Sequence, residues 1–167
     1  MTERNDHDVS GRLAALEAKV LALEDQAAVL RLVCSWGPAV DTGRSREAAA
    51  LWAEDGVLES DLSRLDGPAA VAAMVESEGQ QSLIRRGCAH VQSAPIVTID
   101  GDEAVVIAYS QVFLHGEQGH DVWRVSANRW ECRRTPRGWR LTGRVNQVID
   151  GSTSPRQILV QALDGDS

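Results

Sequence analysis

Asp41 and His90 are the residues whose types and surroundings best suit proton transfer. Leu30, Cys34, Gly37 and Asp41 follow one another at spacings of 4, 3 and 4. A helix through them sets all four on one stripe. A carboxyl group at the end of an apolar stripe loses hydration, which raises its pKa toward the range of a general acid or base. The alternative is a chain that leaves the helix after Pro38, with Asp41 capping a turn beside Gly43. His90 stands in step with Cys88, Gln92, Ala94 and Ile96 on a strand-like segment. Facing a cavity, it would shuttle protons near neutral pH; otherwise it is an ordinary hydrogen-bonded histidine of the core or surface.

Other polar groups carry weaker signals. His115, Glu117, His120 and Asp121 surround one Gly-rich turn, but that spacing fits no recognised ligand pattern, and an exposed polar turn is expected, with no metal. His115 shares parity with Tyr109 and Phe113, which leaves it a candidate for an inward face. Sixteen of the 17 basic residues are Arg, and seven of them lie between 124 and 144. Such a run suits nucleic acid, yet 24 acidic residues and a net charge of −7 oppose that partner and an anionic membrane. A solvated sheet edge accounts for most of the run, with Arg144 set apart as able to reach a cavity.

These residues need elements to position them. Residues 1–9 read as a disordered tail, followed by a helix capped at Ser10. Leu13, Leu16, Val20, Leu23, Ala27 and Leu30 repeat at 3-4-3-4-3, the spacing of an a/d seam. That seam either packs on its own domain or forms a dimer. Gly37-Pro38 bends or restarts the helix. Residues 45–53 predict a short helix that includes Trp52, 57–59 a strand, 68–78 a helix, and 79–87 a looser segment. The second half is strand-rich. Segments 88–99, 103–115, 120–134 and 139–149 predict four long antiparallel strands, joined at Asp100-Gly101, Gly116–Gly119 and Thr135–Gly138. Residues 155–163 predict a last short helix, with a tail after it. Helices followed by a meander make an α+β layout.

The chain has 167 residues, seven of them aromatic and five of those Trp. One domain is expected, with a core of Leu, Val, Ile and Ala around the tryptophans. Trp123 and Trp130 fall on opposite faces of one strand by parity. Three widely spaced cysteines form no disulfide framework, and the polar N-terminus is not a signal peptide, so a reduced, cytoplasmic protein is expected. No apolar run is long enough to span a membrane.

The segments CSWGPAVDTGRSREAAALWAEDGVLE, GCAHVQSAPIVTIDGDEAVVIAYSQVF and RWECRRTPRGWRLTGRV resemble the SnoaL-like group of the nuclear transport factor 2-like superfamily. The resemblance spans about residues 12–150, and the domain is placed at 10–150 with a short C-terminal helix and tail over 151–167. It implies a cone-shaped α+β barrel, in which N-terminal helices cover a curved antiparallel sheet of about four long strands. Relatives include polyketide cyclases, ketosteroid isomerase and dehydratases, beside non-enzymatic members, and many form homodimers through the sheet. The dehydratase-like pattern implies an acid–base pair at Asp41 and His90. It usually has Tyr where this chain has Trp36, and Trp cannot give and recover a proton as a phenol can. The expected function is a cofactor-independent lyase or isomerase, dehydratase- or cyclase-like, acting on a hydrophobic, cyclic small molecule. Trp36, Tyr109, Phe113 and His115 would line its pocket, and Asn128 and Arg144 would hold a polar substituent. The alternative is a non-catalytic small-molecule-binding or dimerisation module of the same fold.

Overall fold

Helix α1 (Glu3–Cys34) is built largely from Ala, Leu, Glu and other good helix formers. The computed structural model describes residues 3–163, so the tails expected at both ends lie partly outside the described residues. The helix begins before the cap expected at Ser10. After one turn residue the chain restarts as α2 (Trp36–Asp41), with Pro38 in its first turn, where a missing N–H costs little. Gly43, at φ +68°, then breaks the helical path.

Helix α3 (Ser45–Ala50) is shorter than expected, because Trp52 opens strand β1 (Trp52–Ser60) instead of extending it. Strand β2 (Arg64–Asp66) and helix α4 (Gly67–Glu76) follow. The segment expected to be loose is helix α5 (Glu78–Arg86). Its signals are terminal: the Ser77 hydroxyl accepts from the Gln80 N–H, Glu78 lies in the first turn, and Arg85 and Arg86 lie in the last.

The strand expected over 88–99 is two strands, β3 (Cys88–Gln92) and β4 (Ile96–Asp100). Pro95 lies between them and has no N–H to give a ladder. The long strands are β5 (Glu103–Gly116), β6 (Gly119–Thr135) and β7 (Gly138–Val148), and helix α6 (Thr153–Val160) closes the described chain. The sheet is open and runs β2-β1-β7-β6-β5-β3, with β4 also on β5. All pairings are antiparallel except β1 with β7.

The main core lies between the helices and the inner face of this curved sheet. Val29, Val33, Trp36, Val71, Trp130 and Leu141 are among its buried members. Trp36 meets Trp52 and Trp130 edge-on, with centroids 5.8 and 6.1 Å apart. Helix α6 buries Ile158 on Ile107 and Ala127 of the outer face. Only the C-terminal part of α1 joins the core, through Val29, Leu32 and Val33; Leu13, Leu16, Val20 and Leu23 stay exposed. The seam from Leu13 to Leu23 therefore does not pack on its own domain. No helix among the described residues is long and apolar enough to cross a membrane.

Candidate active site

Glycine sets the distance between α2 and β3. A Cβ on Gly37 would stand 2.4 Å from the His90 carbonyl oxygen, so a larger residue would push the helix off the strand. At that approach the end of α2 delivers Asp41 onto β3. Its Oδ1 lies 2.5 Å from His90 Nδ1 and accepts from Cys88 Sγ at 3.3 Å. Its Oδ2 accepts the His90 backbone N–H at 2.7 Å.

These contacts reverse the expectation for Asp41. Burial works to raise its pKa, but the hydrogen bonds from the His90 ring and backbone and from Cys88 outweigh it, and the carboxyl is held below its usual value. Asp41 is therefore an anion that orients its neighbour, not a poised acid. A carboxylate on Nδ1 selects the Nδ1–H tautomer, which leaves Nε2 of His90 as a free acceptor. Cys88 is pushed up to about 11 by burial and by Asp41, so its thiol keeps its proton. Asp41, Cys88 and His90 could all reach one metal ion, their ligand atoms lying within 4.8 Å of one another. A protonated thiol already donating to the carboxylate is a poor start for such a site.

His90 lines a cavity of about 200 Å³ between α2, α4, α5 and the inner sheet face. Its walls are mostly apolar, among them Trp36, Val40, Leu58, Met74 and Val112. Arg144 is the charged group at its floor. The guanidinium is buried, lies 4.1 Å from the Trp130 ring centroid and 5.3 Å from that of Trp36, and donates from Nε and Nη2 to Asn128 Oδ1 at 3.0 and 2.8 Å. Asn146 Nδ2 gives Asn128 Oδ1 another bond, and Asn128 Nδ2 donates to Ser110 Oγ. Among the described residues no carboxylate lies within 4.0 Å of Arg144. Burial, with repulsion from Arg124, pulls it down to about 9, still protonated at neutral pH. Arg124 also reaches the cavity, but it is paired with Asp61 and bonded to Asn146.

Trp36, His90 and Arg144 thus line one space, with Asp41 behind His90 and Asn128 behind Arg144. Tyr109, Phe113 and His115 do not join them. His90 is registered with Val112, which makes the even positions Ser110, Val112 and Leu114 the inward set of β5. Tyr109 is 45% exposed on the outer side, and Phe113, registered with Ala89, faces that way too. His115 is exposed at the hairpin end, its ring 5.1 Å from that of His120. Trp123 corrects the parity argument. Val112 pairs with Arg124 and Phe113 with Val122, so Trp123 is an extra bulge residue, and it lines the cavity beside Arg124. Gln80 was also outside the expected set. It is buried, lines the cavity, and its Nε2 has no partner among the described residues.

Comparison with known proteins places the fold. Residues 21–145 match the family model of the SnoaL-like domain. No curated protein matches the sequence. Among solved structures, an NTF2-like protein with a cystatin-like fold from Novosphingobium aromaticivorans is similar at 37% identity, over 88% of this chain and 96% of that one, with a TM-score of 0.85. A hexachlorocyclohexane dehydrochlorinase from Novosphingobium barchaimii shares 14% identity, over 78% and 90% of the two chains, with a TM-score of 0.68. A protein from Catenulispora acidiphila solved with S-DNPA shares 17% identity, over 77% and 96%, with a TM-score of 0.65.

Proposed function

The chain belongs to the SnoaL-like domain family, and from that premise we propose that it is a cofactor-independent lyase or isomerase acting on a hydrophobic, cyclic small molecule. The observation that carries this is the Asp41–His90 bond at the cavity wall, with the unpaired Arg144 cation on the cavity floor. His90 Nε2 takes a proton from the carbon next to a substrate carbonyl. The oxygen of the resulting enolate gains charge, and Arg144 and the Gln80 amide are the donors that suit it. The imidazolium, steadied by Asp41, then gives its proton to a departing hydroxyl group, completing an elimination, or to another carbon, completing an isomerisation. The fold-level likeness to a dehydrochlorinase, whose name implies the elimination of a chloride and a proton, favours the lyase form. Trp36 packs against the substrate and takes no proton.

The same reading makes the protein a homodimer, as relatives of this kind often are. Its three cysteines, none of them in a disulfide, suit a reducing compartment such as the cytoplasm.

The test is turnover of a panel of cyclic β-hydroxy ketones by the wild type, His90→Ala and Asp41→Asn. Loss of a general base costs about 10²–10⁴-fold, so His90→Ala should be the slowest, with Asp41→Asn between it and the wild type. Equal rates in all three would leave the binding module instead, a cavity that holds its ligand without transforming it.

A further inference from the structure

Helix α1 is about 48 Å long at about 1.5 Å per residue, and most of it stands clear of the body. The residues that fasten it are Asp25, Val29, Leu32 and Val33. Asp25 accepts from Trp139 Nε1 and Arg134, and the other three are buried. At about 100° per residue these lie on the side opposite the 3-4 seam. The seam is correspondingly bare: Leu13 is 56%, Leu16 59%, Val20 52% and Leu23 65% exposed. Cys34, the next position of the repeat, is exposed as well.

We propose that α1 pairs with α1 of a second copy as a parallel, in-register, two-stranded coiled coil. The inference rests on the homodimer reading and places the contact on α1, apart from the sheet through which many relatives pair. Leu13, Val20, Ala27 and Cys34 take the a positions, and Leu16, Leu23 and Leu30 the d positions. Val at a with Leu at d suits two strands. The flanking charges choose the direction. Arg12 and Lys19 occupy g positions, and Glu17 and Glu24 occupy e positions. In a parallel pair each g residue faces the e residue five places on. Arg12 then meets the partner's Glu17, and Lys19 meets the partner's Glu24, each twice by symmetry. An antiparallel pair would set g against g and e against e, cation on cation and anion on anion. A foreign helix would have no reason to match this pattern, whereas a second copy matches it by construction.

The test is light-scattering mass on the full chain. Leu16→Glu with Leu23→Glu changes only exposed positions, so the fold should survive with an unchanged near-UV spectrum while the mass falls from dimer to monomer. A seam variant that stays dimeric overturns the inference and leaves the homodimer reading standing on another surface. A wild type that is monomeric at every concentration overturns both. Direction has two readouts. With diamide as oxidant, two Cys34 thiols give up two protons and two electrons and join as a disulfide dimer, absent in Cys34→Ser; failure of the wild type to crosslink contradicts the parallel register. Arg12→Glu with Lys19→Glu should be monomeric alone and dimeric only when mixed with a chain carrying Glu17→Lys and Glu24→Lys. Dimers of either charge variant alone would contradict the pairing.

Discussion

Arg144, on the inner face of the β5–β6–β7 sheet, is held differently from the arginines of the outer face. On the outer face Arg129 pairs with Glu131 and Arg133 with Asp55. Each such cation has an anion, water remains close, and exposed pairs of this kind contribute little. On the inner face Arg144 has two indole rings and an amide, and its own field is opposed by Arg124. A buried cation without a counter-ion burdens the fold. The sheet therefore keeps one charge where it works against stability, on the floor of the cavity that His90 enters. In the proposed function its use lies in what the cavity receives.

The contrast can be broken directly. Arg144→Met should lower turnover by about 10²-fold or more, as loss of an oxyanion donor does. The same change should leave stability unaltered or raise it by about 1–4 kcal/mol, because a buried charge is replaced by apolar volume. Urea midpoints and initial rates on the same preparation would show the two moving apart. A fall in both would make Arg144 a structural residue. Gly37→Ala acts next, on the geometry rather than the charge. Its Cβ would strike the His90 carbonyl, at a cost of about 1–3 kcal/mol, and the Asp41–His90 bond would open with it. Thermal unfolding gives the first effect and the rate the second.

A smaller effect is tied to pH. Asp41 is depressed in the folded state, so its contribution is present above its unfolded pKa and is lost as pH falls through the lower folded value. Acid unfolding followed below pH 4 should therefore be shallower in Asp41→Asn than in the wild type. The smallest effect is expected on the outer face. Arg133→Ala should change neither rate nor melting temperature measurably, since its partner Asp55 is exposed. A sizeable loss of rate there would mean that the two faces are not independent.

Much of this was legible in the residues, and the failures share a cause. Asp41, His90, Trp36 and Arg144 could be named because helical stripe, strand parity and motif position converge on them. Asp41 was assigned the wrong protonation behaviour, because burial is visible in a sequence while three donors supplied by another strand are not. Tyr109, Phe113 and His115 were placed by the wrong parity of β5. The inner set Ala104, Val106, Ala108, Ser110, Val112 and Leu114 is small and partly polar, while Ile107, buried under α6, makes the outer face look like a core face. Trp123 escaped because a bulge shifts the register by one, which period-2 counting cannot register. Gln80 escaped because α5 is held by its ends and not by an apolar stripe.

The central claim is that Asp41 fixes His90 with its free nitrogen available to a substrate. Nitrogen-15 chemical shifts of the His90 ring, assigned by loss of its signals in His90→Gln, test this without any substrate. At a pH where the ring is neutral, the account predicts a protonated, pyrrole-like Nδ1 and an unprotonated, pyridine-like Nε2, with that preference lost in Asp41→Asn. A wild-type ring protonated on Nε2 would contradict it.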